Sequence, residues 1–337
     1  MKKLLVITPC APGIAPTQGL SVARRLAKVG TPIMIIPKGD TGFKRFVEVT
    51  FKGLSLTARN NVILISVFGE RAFVYESLAI LYGFLLKKRV VAVLHNGGMP
   101  RFVNSRPRWA HFILSKPDVL ITPHQFLFES LSELGYHIDG IIPNFIELDN
   151  YIYRVRNPLN PKFLYMRGLN PVYNPEMALN VFALVQQEYP QAVLTVAGSD
   201  KGYLSTCQEL ALKLNLHNID FLGIVPKGDL PELFNKHDIY IQTNREDNMP
   251  ISLIEAWASG LPVIATNVGG IPYLVKDGVD GILVESENSN AMAKKCIELL
   301  DNPVKANSMA MQGRLRAQEL TWENVASAWK KALDLES

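Results

Sequence analysis

The chain has 337 residues, 48% of them hydrophobic and 20% charged, with 23 Gly and 21 Pro; this is a globular composition and excludes a disordered, collagen-like or low-complexity chain. Two domains are expected, because a single core stops growing at about 250–300 residues. The formal charge of +4 is unevenly spread: residues 1–150 hold 18 Lys and Arg against 10 Asp and Glu, and residues 151–337 hold 17 against 21.

The first apolar run, residues 4–8, ends at Thr8-Pro9, short of the roughly 7–15 residues of a secretion-signal core. It reads as the buried first strand of a cytosolic protein. Cys10, Cys207 and Cys296 form no C-x-x-C pair and read as reduced thiols. Similar β-rich runs follow at 33–36, 62–67, 90–94 and 119–122, then at 163–166, 192–197, 238–242 and 263–266. Helical patterns such as 22–29, 175–188 and 205–214 lie between them. Near-continuous apolar strands alternating with helices predict an α/β fold, with parallel sheets covered on both faces.

Asn and Pro residues between 143 and 161 break every period where the charge balance changes sign. The expected domains are therefore 1–150 and 151–321. A last amphipathic helix begins at Trp322, with Val325, Ala328, Trp329 and Leu333 on one face, and segment 322–337 is expected to pack back on the first domain. The longest apolar stretch, 72–86, is interrupted by Glu76, Ser77 and Gly83 and falls short of the roughly 20 residues of a bilayer crossing. Doubly wound sheets bind ligands beyond the carboxyl ends of their strands, so the loops there, and the cleft between two such domains, are where chemistry is expected.

The densest signal is residues 243–272. A strand ends near Gln242, a polar loop follows, Pro250 suits the first position of a helix, and Gly260 and Pro262 stop it. Such a helix start offers free backbone N–H groups and the positive end of a dipole to a phosphate, here from Met249 to Ser252. Asp247 and Glu255 flank it, and carboxylates beside a bound anion make sense as hydroxyl acceptors. The alternative is that Asp247 caps the helix and Glu255 lies on a solvated face.

This segment resembles the C-terminal signature of retaining glycosyltransferases of family 4, which have the GT-B fold of two facing Rossmann-like domains. The signature is a Glu, seven residues, a second Glu, then Ala-x-Gly-x-Pro-Val. Asp247 stands at the first Glu position and Glu255 at the second, and Ala258-Ser259-Gly260-Leu261-Pro262-Val263 and Gly269-Gly270-Ile271-Pro272 follow in register. The resemblance implies that Glu255 holds the ribose of a nucleoside-diphosphate sugar, UDP or GDP, and that Asp247 holds a donor-sugar hydroxyl. The backbone of Asn248, Met249, Pro250 and Ile251 would contact sugar and diphosphate. Asp for Glu shortens the reach by one methylene, which bears on donor-sugar choice.

Residues 163–176 resemble the opening of the family's second domain, where an Arg and a Lys neutralise the leaving diphosphate. Arg167 lies one residue early and Tyr173 takes the Lys place; this departure keeps open a non-catalytic nucleotide-sugar-binding subunit. In the first domain, residues 15–21 resemble the family's glycine loop. Gly19 would let a diphosphate or acceptor approach the backbone, and a plain turn is the other reading. His95-Asn96-Gly97-Gly98 resembles the family's His-Gly-Gly segment, with His95 positioning donor sugar or acceptor and Asn96 and Gly97 on the acceptor side. Asp247, Arg167 and His95 are the expected catalytic set.

No Asp-x-Asp and no His/Cys cluster with metal-ligand spacing occurs in the sequence. Metal independence is therefore expected, with no cofactor beyond the donor substrate. The absence of Gly-x-Gly-x-x-Gly and of a P-loop counts against NAD enzymes and NTPases. Lys87, Lys88 and Arg89, with Arg101, Arg106 and Arg108, the last three interleaved with Phe102, Trp109, Phe112 and Ile113, suit an anionic membrane or a lipid-linked acceptor. The alternative is a solvated rim over core aromatics, and nucleic acid is not expected. The resulting expectation is a cytoplasmic enzyme, or one peripheral on the inner membrane face, that moves a hexose from a nucleotide sugar to a hydroxyl of a glycan or lipid-linked saccharide. An epimerase or phosphorylase on the same fold is the rival reading.

Overall fold

The computed structural model describes residues 2–10, 17–39 and 41–335. The chain divides into two compact units, Met1–Phe145 with Trp322–Ser337, and Ile146–Thr321.

In the first unit, strands β1 (Leu4–Ile7), β2 (Ile33–Ile36), β3 (Val62–Val67), β4 (Arg89–Leu94), β5 (Val119–Thr122) and β6 (Gly140–Ile141) pair in parallel in the order β2-β1-β3-β4-β5-β6. Between them run α1 (Gln18–Lys28), α2 (Gly42–Arg59), α3 (Phe73–Leu85), α4 (Met99–Ser105), α5 (Pro107–Leu114) and α6 (Gln125–Glu133). Because strand side chains alternate, Leu5 and Ile7 join one core with Val49, Phe73, Ala79 and Ile113. Leu4 and Val6 join another with Val22, Leu26, Trp322, Val325, Trp329 and Leu333. Residues of the helix beginning at Trp322 thus share with α1 the cover of one sheet face.

The second unit repeats the plan with β7 (Lys162–Met166), α7 (Pro175–Glu188), β8 (Val193–Ala197), α8 (Leu204–Lys213), β9 (Ile219–Gly223), α9 (Leu230–Asn235), β10 (Ile239–Gln242), α10 (Ile251–Ala258), β11 (Val263–Thr266), α11 (Ile271–Leu274), β12 (Ile282–Val284), α12 (Ser289–Asp301) and α13 (Pro303–Glu319). Its strands pair in the order β12-β11-β10-β7-β8-β9, all in parallel. The last helix, α14, is Trp322–Ala332. Each sheet reverses its winding once, between β1 and β3 in the first unit and between β7 and β10 in the second.

Three strands beyond those expected, β6, β9 and β12, lie at sheet edges or are very short. Helix α1 starts four residues before the expected 22, because the Thr17 hydroxyl caps it by accepting from the Leu20 N–H at 3.3 Å. Gly19 therefore sits in the first turn of a helix and not in a loop before one; Ala15 and Pro16 of that expected loop lie outside the described residues. The irregular stretch that opens the second unit is an ordered strap. The fully buried Arg156 donates to the carbonyls of Arg154 (2.8 Å), His237 (2.8 Å), Ser259 (2.9 Å) and Gly260 (2.6 Å). It stands where α10 ends, so a cation meets carbonyls the helix leaves unpaired.

Candidate functional site

Arg167 follows β7 and Asp247 follows β10, the two strands that meet at the reversal of the second sheet. That is where an open α/β sheet forms its crevice. The Arg167 guanidinium pairs with the Asp247 carboxylate, and the Asn244 side-chain amide donates to the same oxygen. The other Asp247 oxygen accepts from the Asn248 N–H at 2.8 Å. Burial pushes the Asp247 carboxyl above its ordinary range, while Arg167 and these two donors pull the other way. The pair is mostly buried, and the Arg167 Nε has no hydrogen-bond partner in the protein, so the guanidinium keeps one donor unspent.

Tyr173 packs its ring against Arg167, with the guanidinium carbon 4.1 Å from the ring centroid. The tyrosine that departs from the expected Lys thus gives up a second cation and supports the first through its π face. The ring is anchored through its own backbone, whose carbonyl accepts from the Tyr165 hydroxyl at 2.9 Å.

Beyond Asp247 the chain turns into α10, with Pro250 as the residue before the helix and no side-chain cap. The first-turn N–H groups of Ile251, Ser252 and Leu253 are not capped by Asp247, whose carboxylate is turned to Arg167 instead. Pro250 is therefore the cap residue and not the first helical one. The loop is held from behind by Gly269 and Gly270: the Gly270 N–H donates to the Asp247 carbonyl at 3.0 Å. A methyl on Gly269 would overlap the Asp247 carbonyl oxygen, and one on Gly270 the Asn248 carbonyl oxygen. Only residues without a Cβ let the two backbones lie this close.

Glu255 is not on a solvated face. It is 6% exposed, and its Oε1 accepts from the Tyr151 hydroxyl at 2.6 Å. Burial pushes its carboxyl up to about 7, against the Tyr151 hydrogen bond and the positive charges of Lys227 and Arg167. Tyr151, Asn244 and Arg156 were not anticipated. Tyr151 and Arg156 belong to the strap and reach partners about a hundred residues away in sequence, so no local pattern marks them; Asn244 lies inside the motif segment and could have been read as a donor to its acidic neighbour.

In the first unit, His95 follows β4 and stacks on Phe68 with ring centroids 5.3 Å apart. Burial lowers its pKa to about 4, so the ring is neutral at neutral pH and suits positioning rather than charge neutralisation. Asn96 donates to the Phe68 carbonyl at 2.9 Å and accepts from the Gly98 N–H at 3.0 Å, which fixes the turn containing Gly97. Glu76, fully buried, accepts from the N–H groups of Phe68 and Gly69 at 3.0 and 3.1 Å and so clamps the loop beneath His95. A methyl on Gly19 would lie 2.5 Å from Ser66 Oγ and 3.3 Å from Thr8 Oγ1, where α1 meets the ends of β1 and β3. Of the apolar residues expected beside the basic ones, Phe102 and Ile113 are core and Trp109 packs against it; Phe112 is exposed. Among the described residues no group of three His, Cys, Asp or Glu side chains could hold a metal ion, and no helix is long and apolar enough to cross a membrane.

Residues 154–316 match the family described as Glycosyl transferases group 1. Among curated relatives, the D-inositol 3-phosphate glycosyltransferase of Segniliparus rotundus is 26% identical over 177 residues, covering 50% of this chain and 39% of the relative. That of Streptomyces griseus is 28% identical over 174 residues, covering 49% and 37%. The chain thus spans well under half the length of these relatives. Among solved structures, HepE of Anabaena in complex with UDP-glucose superposes with a TM-score of 0.83 at 16% identity, over 100% of both chains. The sucrose-phosphate synthase of Thermosynechococcus elongatus does so with a TM-score of 0.79 at 17% identity, over 99% of both. The architecture is the one these proteins share, the two-sheet GT-B fold of glycosyltransferases.

Proposed function

Because residues 154–316 form a glycosyl transferases group 1 domain within a GT-B fold, we propose that the chain is a retaining glycosyltransferase. It moves a hexose from a nucleoside-diphosphate sugar, UDP before GDP, to a hydroxyl of a glycan or lipid-linked saccharide in the cytoplasm. The observation that carries this reading is the Arg167–Asp247 pair at the sheet reversal, beside the uncapped start of α10 and above the buried Glu255.

Each group has a task there. Glu255 accepts the ribose hydroxyls, the first-turn N–H groups of α10 and the Arg167 guanidinium take the diphosphate oxygens, and Asp247 accepts a hydroxyl of the donor sugar. In the transfer, the bond from the anomeric carbon to the phosphate oxygen breaks and a bond from that carbon to the acceptor oxygen forms on the same face. The acceptor proton departs with the diphosphate. Fixed charge and dipole aimed at the leaving group supply the rate, so the reaction is expected to proceed in EDTA. His95 and the Asn96–Gly97 turn serve the acceptor side, with Gly19 at a close backbone approach.

The test is a thermal-shift panel of UDP-, GDP-, ADP- and dTDP-sugars on the wild type and Glu255→Gln. A ligand at about 100 times its dissociation constant adds about 2.7 kcal/mol of stability. A shift with one nucleotide class that Glu255→Gln loses supports the donor site, and no shift with any of the four overturns it. The products then separate transfer from its rivals: a glycosylated acceptor with retained anomeric configuration, an isomerised sugar, a sugar phosphate, or donor left intact by a subunit that only binds.

A further inference from the structure

Helix α2 is apolar on two sides. Its inner side, with Phe46, Val49, Gly53, Leu56 and Thr57, is buried or partly buried against the first sheet and α3. Its outer side carries a second stripe, Phe43, Val47, Phe51, Leu54 and Ala58, at the three- and four-residue spacing of a single helix face. Phe43 and Phe51 are 76% and 79% exposed and Leu54 is 48% exposed. A surface helix buries one stripe; the second needs another partner.

The exposed charges around this stripe are mostly positive. Lys44, Lys52 and Arg59 are exposed on the same helix. Its one carboxylate, Glu48, is engaged by the Lys38 N–H at 2.8 Å and by Lys52 at 3.8 Å. Helix α3 packs against α2, with the Tyr82 hydroxyl donating to the Thr50 carbonyl at 3.3 Å. It ends on exposed Phe84 and Leu85, followed by Lys87 and Lys88. Lys116 lies 5.2 and 4.8 Å from the ring centroids of Phe84 and exposed Phe112. Large aromatic and aliphatic side chains flanked by lysines, whose apolar stems let the ammonium reach sideways, form the pattern of a helix lying in a headgroup layer.

We infer that α2 with the adjoining end of α3 is the face by which the first unit rests on an anionic lipid bilayer. Phe43, Phe51 and Leu54 enter the boundary between headgroups and acyl chains, and Lys44, Lys52, Lys87 and Lys88 meet lipid phosphates. This places the contact mainly on α2 and not on the 101–113 segment that the sequence suggested, whose aromatics other than Phe112 belong to the core. The inference does not depend on the donor site, because every residue in it belongs to the first unit.

Co-sedimentation of the full chain with phosphatidylcholine vesicles, with and without phosphatidylglycerol, tests it. The wild type is expected to pellet with the phosphatidylglycerol vesicles, to stay in solution with pure phosphatidylcholine, and to be released by high salt. Replacing both exposed rings, Phe43→Ser with Phe51→Ser, is expected to weaken partition by about tenfold or more per ring, and Lys44→Glu with Lys52→Glu to abolish the preference for anionic lipid. These positions are exposed, so the variants should melt like the wild type, and a nucleotide-sugar thermal shift unchanged from wild type shows the donor site intact. The inference is overturned if the wild type stays in solution with the anionic vesicles or if the double serine variant pellets as well as wild type. It is also overturned if size-exclusion chromatography shows a dimer that the serine variant dissolves, because a second copy then covers the stripe.

Discussion

Each sheet reverses its winding once, after its second strand in the first unit and after its third in the second, and what stands at the two reversals differs in kind. At the β7/β10 reversal the strand ends carry a guanidinium and a carboxylate, with a second buried carboxylate on the helix that follows. At the β1/β3 reversal stand a glycine and three hydroxyls: Gly19 packs against Ser66 and Thr8, and Thr8 and Thr17 share a hydrogen bond at 2.5 Å. The fold supplies a crevice twice; the side chains at the strand ends decide whether it receives charge or close backbone. In the second unit Arg167 and Asp247 hold each other in place over a loop backed by Gly269 and Gly270, whereas in the first the loop is held by the Asn96 and Glu76 side chains bonded to backbone groups.

The largest test of this contrast is Arg167→Ala. On the proposed function it removes the cation that faces the leaving group, and turnover is expected to fall by about a hundredfold to a thousandfold, measured as nucleoside-diphosphate release. Arg167→Lys, which keeps the charge without the planar fork, is expected to lose less. An equal loss from both variants would mean that the fork geometry, and not the charge, does the work.

Gly270→Ala comes next. The added methyl meets the Asn248 carbonyl, a backbone atom that cannot rotate away. It is expected to cost about 1–3 kcal/mol and to lower the melting temperature by several degrees, which calorimetry would show. An unchanged melting temperature would mean that the loop has room the packing does not show.

The third concerns Glu255. Its carboxyl, ordinarily near 4.3, is pushed up to about 7 by burial. The ionised form is the better acceptor for two ribose hydroxyls, so donor affinity is expected to rise as pH increases through about 7. The native fold holds the proton more tightly than the unfolded chain does, so this group's contribution to stability falls as pH rises from about 4.3 to about 7 and is level above that. Glu255→Gln is expected to flatten both curves and weaken donor binding about tenfold. Tyr151→Phe keeps the ring but removes the hydrogen bond that favours the ionised form, and should move the affinity midpoint to higher pH. Calorimetric titration across the neutral range reads both variants; a midpoint that stays put in Tyr151→Phe would leave Tyr151 only a packing role.

The smallest effect is expected in the first unit. Gly19→Ala meets a side-chain hydroxyl and not backbone, so it is expected to cost about 1 kcal/mol, and Ser66→Ala should restore most of it in a double-mutant cycle. If donor affinity stays low once stability is restored, the Gly19 backbone faces the donor and the first reversal shares in binding it.

How much of this was legible depends on the range of the interactions. Val62 to Val67 and Val263 to Thr266 read as strands because a doubly covered parallel strand is apolar throughout. β9, with sequence Ile219-Asp220-Phe221-Leu222-Gly223, alternates between partly buried and exposed positions at an edge and gives no such run. Helix α2 escaped notice because apolar residues on two sides blur its periodicity. Asp247, Glu255 and Arg167 sit in short local patterns, at strand ends and a helix start, that can be read without the fold. Tyr151 and Arg156 act only through the fold. Glu76 reads in sequence as an interruption of an apolar run, and in the structure it is the clamp on a loop.

The discontinuity of the first unit bears on how the protein is made. Residues 146–321 are complete before Trp322 leaves the ribosome, so the second unit can fold while the first still waits for its final helix. Until then Leu4, Val6, Leu64 and Val93 lack the Trp322, Val325 and Trp329 side chains that complete their core. Nascent chains stalled just before Trp322 should therefore display a finished second unit beside an apolar, chaperone-seeking first one. In the finished protein, Lys2 pairs with Asp334 at 2.5 Å and the Arg89 Nε donates to the Ala332 carbonyl at 3.0 Å. A short link from α14 to β1 could therefore turn the order of synthesis around, giving a circular permutant whose first unit is finished before its second begins.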